Sequence, residues 1–149
     1  MSHLEAGAAA PDFSVTDHQG IQRSLIDYRG AHLVLWFYPR ADTPGCTTEG
    51  CGFRDIYSDF EAKGAAIVGV SFDTIEENRA FAEKFSFPYP LLCDRDRTMG
   101  LAYFATDEPG TGGYAKRIGV LIDPEGKVVE YWASASAAEF PQEVLDRIP

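Results

Sequence analysis

Cys46 is the residue in this chain best placed to do chemistry. It closes the stretch Pro39-Arg40-Ala41-Asp42-Thr43-Pro44-Gly45-Cys46, which joins an apolar run to a helical segment. Functional groups of α/β proteins concentrate where strands hand over to helices. Thr43 is a favourable helix N-cap and Pro44 a favoured first helical residue, so Cys46 falls at the third helical position. The backbone N–H there has no partner within the helix. A sulfur at that place meets unpaired N–H groups and the positive end of the helix dipole, and both favour the charged thiolate. Thiolate is the nucleophilic form of cysteine, so the placement is an activating one. The competing reading is a small buried core cysteine, the commonest fate of a free thiol.

Two further cysteines, Cys51 and Cys93, bear on that chemistry. In one regular helix, the five-residue step from Cys46 to Cys51 rises about 7.5 Å and turns through about 500°. That leaves the Cα atoms roughly 8–9 Å apart, whereas a disulfide needs them within about 7 Å. Either the two never pair, or the first turns of the helix unwind. Gly50 and Gly52 flank Cys51, and each weakens a helix interior by roughly 1 kcal/mol relative to alanine. They ease unwinding, or they serve close packing. Cys93 ends a short apolar stretch before Asp94. It reads as a core thiol, with a resolving or sensing role as the alternative.

Other chemistries find little support. There is no Cys-x-x-Cys pair, and His3, His18 and His32 lack ligand spacing, so neither a metal site nor a thioredoxin-type dithiol is expected. No GxGxxG or P-loop occurs, so no nucleotide cofactor is expected. The 149 residues are 45% apolar and 24% charged, which suits one compact domain over residues 1–149. With 13 basic and 23 acidic residues, the net charge is −10. Such a surface repels phosphate backbones and anionic lipid, which makes nucleic acid and membrane poor partners. The opening Met1-Ser2-His3-Leu4-Glu5 has no secretion signal, and the apolar stretch Leu33 to Tyr38 is too short to span a bilayer. An odd cysteine count without a signal suggests reduced thiols and a cytoplasmic location.

The elements that must position these residues follow from the apolar pattern. Asp12 to Thr16 and Ile21 to Arg23 flank a His18-Gln19-Gly20 turn and predict an N-terminal hairpin. Ser24 to Tyr28 suits a short helical turn. His32 to Tyr38 is continuous and β-prone, a buried central strand. A helix is expected from Pro44 to Lys63, because Phe53, Ile56, Tyr57 and Phe60 make one apolar face. Ala65 to Phe72 predicts a second buried strand, Ile75 to Phe85 a helix, Leu91 to Cys93 a short strand and Asp96 to Tyr103 a helix. Thr106 to Gly113 reads as a loop. Arg117 to Ile122 and Lys127 to Trp132 form a hairpin across Asp123-Pro124-Glu125-Gly126, and Ala138 to Ile148 closes as a helix. This order predicts an α/β, thioredoxin-like fold: a central mixed sheet flanked by helices.

The chain resembles the bacterioferritin-comigratory or Q-type branch of the peroxiredoxins. The likeness lies in Pro39-x3-Thr43-x2-Cys46, in Thr47-Thr48-Glu49-Gly50-Cys51-Gly52-Phe53-Arg54-Asp55, in Phe37-Tyr38-Pro39 and in Val120-Leu121-Ile122-Asp123. It covers nearly the whole chain. The resemblance implies a thiol-dependent peroxidase without a cofactor, acting on hydrogen peroxide and organic hydroperoxides. It implies that Cys46 is the peroxidatic cysteine and that Thr43 contacts the peroxide. Pro39 would shield the thiolate and Arg117 would be the active-site arginine. Lys116 is its rival by position. Cys51 would be the resolving cysteine, and Glu49 would hold an arginine in place. Thioredoxin or a similar dithiol would be the reductant, and the protein would be a monomer. A thiol-disulfide oxidoreductase and a redox sensor that changes partners on oxidation are the alternatives. Gly50 replaces an expected alanine, Gly119 sits where threonine is common, and Pro109 to Gly113 is unusually glycine-rich. These departures leave the chemistry intact and bear on the rim, and hence on substrate preference.

Overall fold

The computed structural model describes residues 3–149. Two short strands, β1 (Ser14–Thr16) and β2 (Gln22–Ser24), form the antiparallel N-terminal hairpin. The Asp17 carboxylate organises its turn by accepting the N–H groups of Gln19 and Ile21. A single 3-10 turn follows at Leu25–Tyr28. The remaining elements are β3 (His32–Phe37), α1 (Pro44–Asp55), α2 (Tyr57–Ala62), β4 (Ala65–Ser71), α3 (Ile75–Phe85) and β5 (Leu91–Cys93). After them come α4 (Thr98–Ala102), β6 (Ile118–Ile122), β7 (Val128–Trp132) and α5 (Phe140–Asp146). Among the described residues, five strands make one sheet in the order β5-β4-β3-β6-β7. Strands β3, β4 and β5 run parallel, and β6 and β7 are antiparallel additions. This is the mixed α/β architecture expected.

The unbroken apolar run of β3 is explained by its place at the middle of the sheet, covered on both faces. Alternation sends Val34, Trp36 and Tyr38 to one side. There they meet Phe53, Phe60, Phe81 and Phe140 from α1, α2, α3 and α5. Leu33, Leu35 and Phe37 face the other side against Phe13, Leu25, Met99 and Tyr103. Four helices therefore cover one face, while α4, the 3-10 turn and the N-terminal segment cover the other.

The single helix expected from Pro44 to Lys63 is broken. Ile56 leaves helical geometry at φ −114° and ψ 19°, and its N–H turns back to the Arg54 carbonyl. Phe53 and Phe60 supply the reason. A straight helix would separate them by about 10 Å along its axis, yet both are fully buried with ring centroids 5.8 Å apart. Packing overrides local helical preference at this point. The other differences are end effects. The two long strands stop one residue early, at Phe37 and Ser71, and α4 and α5 are shorter than Asp96 to Tyr103 and Ala138 to Ile148. At α4 the Asp96 carboxylate stays outside the helix and accepts the Thr98 N–H. Gly119 has a packing reason: a Cβ there would lie 2.0 Å from Cζ of Phe140.

Candidate active site

Strand β3 delivers the chain to the C-terminal edge of the sheet, and α1 starts there seven residues later. Thr43 occupies the N-cap position in extended geometry and Pro44 follows it, as expected. The Thr43 side chain does not cap, however: its hydroxyl donates instead to the Arg40 carbonyl at 2.8 Å. That bond ties the loop to itself and leaves the hydroxyl lone pairs free of the helix. Asp42 sits in the left-handed region at φ 57°, a conformation that aspartate tolerates. Its carboxylate accepts from Lys84 at 2.9 Å.

Cys46 is fully buried in the first turn of α1. Its sulfur accepts a hydrogen bond from Nη2 of Arg117 at 3.4 Å, and Nη1 of the same guanidinium donates to Oε1 of Glu49 at 2.7 Å. Two features of the fold make this possible. Ile118 pairs with Phe37 in the β6–β3 register, which sets Arg117 beside the end of β3. Cys46 and Glu49 are three residues apart, so both lie on one face of α1 and reach one arginine. Gly45 allows the approach, since a Cβ there would lie 2.9 Å from Nη2. Burial opposes the Arg117 charge, but the bonds to Glu49 and Cys46 outweigh it and its pKa is raised. At Glu49 burial is the largest influence and pushes the carboxyl up to about 8, against the pull of Arg117. Its second oxygen, Oε2, has no hydrogen-bond partner among the described residues. The Glu49 carboxyl orients Arg117 through the 2.7 Å bond.

A polar network beneath the loop was not legible in the sequence. Asp73, just past β4, accepts the Ala41 N–H at 2.8 Å and the Ser71 hydroxyl at 2.7 Å. Asn78 receives the Tyr38 hydroxyl at 2.6 Å and donates to Ser71 at 3.1 Å. This anchors the segment between Pro39 and Thr43 to the sheet. The available signal was the polar Asp73-Thr74 pair directly after a buried strand.

Pro39 directly follows Tyr38 in the same loop and is partly buried. Cys51 lies within α1 with a free, partly buried thiol whose pKa burial raises. Cys46 and Cys51 therefore share one helix, and at about 8–9 Å between Cα atoms they cannot bond until it opens. Lys116 turns away and pairs with Asp107 at 2.8 Å. Cys93 is not part of the cluster: it receives the Asn78 amide at 3.3 Å, and burial pushes its thiol up to about 11. Together the arrangement offers a buried sulfur, a fixed guanidinium bonded to it, free helix N–H groups and a nearby hydroxyl. That set suits nucleophilic attack on an electrophile that leaves as an oxyanion.

Known proteins resemble this chain in sequence and fold. Residues 6–131 match the AhpC/TSA family. The chain is 34% identical to a putative Bcp peroxiredoxin of Coxiella burnetii, over 97% of this chain and 99% of that protein. The crystal structure of peroxidoxin BcpB from Mycobacterium tuberculosis superposes with a TM-score of 0.91 at 32% identity, covering 98% and 97% of the two chains. A structure of the Xanthomonas campestris bacterioferritin comigratory protein, studied for its alkyl peroxide reduction activity, gives 0.85 at 32% identity over 97% and 95%. The chain belongs to the AhpC/TSA family, in its Bcp and peroxiredoxin Q branch, and is a thiol-dependent peroxidase.

Proposed function

We propose that this protein, acting as a single domain, reduces hydrogen peroxide and organic hydroperoxides through Cys46. The observation that carries the assignment is the Arg117 hydrogen bond to the Cys46 sulfur at 3.4 Å, in the first turn of α1. The thiolate attacks one peroxide oxygen and the O–O bond breaks. With one proton taken up, the products are Cys46 sulfenic acid and an alcohol or water. Charge moves from sulfur to the departing oxygen, and the guanidinium already beside the sulfur meets it there. The Thr43 hydroxyl proton is engaged by the Arg40 carbonyl, so its lone pairs accept the hydroperoxide O–H and orient it. Pro39, which has no N–H to offer water, shields the sulfur from the strand side. Glu49 fixes Arg117 by its 2.7 Å bond.

Cys51 then condenses with the sulfenic acid, releasing water and forming an intramolecular disulfide, in the manner of an atypical 2-Cys peroxiredoxin. Both cysteines lie in α1, so this step follows local opening of the helix. Thioredoxin or a similar dithiol restores the thiols by exchange. Three free cysteines suit the reducing cytoplasm, where the protein acts as a monomer. Among the described residues no helix is long and apolar enough to cross a membrane. Steady-state assays test the cycle, with hydrogen peroxide and cumene hydroperoxide as substrates and thioredoxin and glutaredoxin as donors. Turnover of both peroxides with a dithiol donor is expected. Fast disulfide exchange without peroxide turnover would point to an oxidoreductase instead. Oxidation-dependent complex formation without turnover would point to a sensor.

A further inference from the structure

We propose that Tyr89 is a positioning residue that latches the Cys51 turn of α1 shut and so sets how fast Cys46 sulfenic acid is resolved. The inference rests on the reading of Cys51 as the resolving cysteine. Three contacts on that turn come from one short segment running from the last residue of α3 to β5. The Tyr89 hydroxyl donates to the Gly50 carbonyl at 2.6 Å. The Phe87 ring lies over Gly50, where a Cβ would be 2.4 Å from Cζ. The Phe85 carbonyl accepts from Nη1 of Arg54 at 2.9 Å. All three contacts fall on the turn that carries Cys51. They give Gly50, in place of the expected alanine, a specific use: only a glycine lets the Phe87 ring come this close.

Tyr89 is suited to stay while the helix moves. It is 3% exposed. Its ring stacks on Phe87 at 5.2 Å and packs edge-on to Trp36 and Phe53 at 6.1 and 6.4 Å. Pro88 and Pro90 on either side restrict its backbone. Burial keeps its hydroxyl protonated, and hence a donor, far above neutral pH. The acceptor belongs to the peptide bond that joins Gly50 to Cys51. Bringing Cys51 to Cys46 requires that peptide to leave the helix, and the Tyr89 bond must break as it does so.

The latch thus governs a branch point. Sulfenic acid and the Cys51 thiol give a disulfide and water, whereas sulfenic acid and a second hydroperoxide give sulfinic acid and an alcohol or water. Slower opening favours the second route.

Tyr89→Phe keeps the ring and removes only the hydroxyl. Losing one net hydrogen bond predicts about a fivefold rise in the open population. Three readouts test it in the full-length protein. Rapid-quench mass spectrometry should show disulfide formation about fivefold faster, with the rate of sulfenic acid formation unchanged. The sulfinic acid fraction at excess hydrogen peroxide should fall. Hydrogen exchange should speed up about fivefold for amides 50–54 and stay unchanged in β3 and β4. Equal disulfide rates and equal exchange in the two proteins overturn the latch, as does faster exchange spread across the whole core. If wild-type protein never forms the Cys46–Cys51 bond, the Cys51 reading fails first and the resolving role of Tyr89 falls with it. If the bond forms but Tyr89→Phe changes nothing, only the latch fails.

Discussion

Cys46 and Cys93 both lie past or at the C-terminal ends of parallel strands, and both are buried. Their sulfurs accept hydrogen bonds of nearly equal length, 3.4 Å from Arg117 and 3.3 Å from Asn78. The difference is the charge of the donor. At Cys93 a neutral amide leaves the burial penalty dominant, and the thiol is pushed up to about 11. At Cys46 the donor is a cation whose other arm is held by Glu49, and the sulfur stands at the open end of a helix. A thiol's place in the core therefore says little about its reactivity; the group that answers its charge decides the matter.

The largest expected effect separates the two cysteines outright. Cys46→Ser should abolish peroxide consumption in a coupled donor assay, while Cys93→Ser should leave kcat/KM for hydrogen peroxide unchanged. Lost activity in the Cys93 variant would give that thiol a share of the chemistry. Next in size is the cation itself. Arg117→Met should lower the rate of sulfenic acid formation about 100-fold, the order seen when one transition-state donor is removed. A stopped-flow rate within threefold of wild type would show that the helix end alone activates Cys46.

A subtler contrast concerns alkylation. With its thiol at about 11, Cys93 should be about one part in a thousand ionised at pH 8. Native-state labelling with iodoacetamide should leave it unmodified over the time in which Cys46 reacts fully, as read by peptide mass spectrometry. Comparable labelling of the two would contradict the contrast.

The smallest effect is on stability. Folding raises the Glu49 carboxyl from 4.5 to about 8, so the folded protein keeps a proton that the unfolded chain releases. The contribution is fully present below about pH 4.5 and is lost as pH rises through about 8. Wild-type stability relative to Glu49→Gln should therefore fall between pH 5 and pH 8 in urea unfolding. A rise over that window would mean that Arg117 outweighs burial at this carboxyl.

Much of this contrast was legible in the residues. The apolar run from His32, the Thr43-Pro44 helix start and the glycine-flanked Cys51 carry the strand, the turn and the pairing problem in local sequence. What was not legible depends on packing and loop geometry that local pattern does not carry. The break at Ile56 comes from Phe53 meeting Phe60, and helical periodicity cannot see it. Thr43 has the type and position of a cap, but its hydroxyl goes to the Arg40 carbonyl because the loop folds back. The Arg117–Cys46 bond spans 71 residues and depends on β6 register. The Asp73 anchor and the Tyr89 bond to Gly50 are long-range polar contacts with no local motif.

Cys46–Cys51 chemistry is tested by treating the reduced protein with one equivalent of hydrogen peroxide and mapping all three cysteines by mass spectrometry. A Cys46–Cys51 disulfide with Cys93 left as a thiol is the expected product. A Cys46–Cys93 bond, or a lasting Cys46 sulfenic acid beside an intact Cys51 thiol, would contradict it.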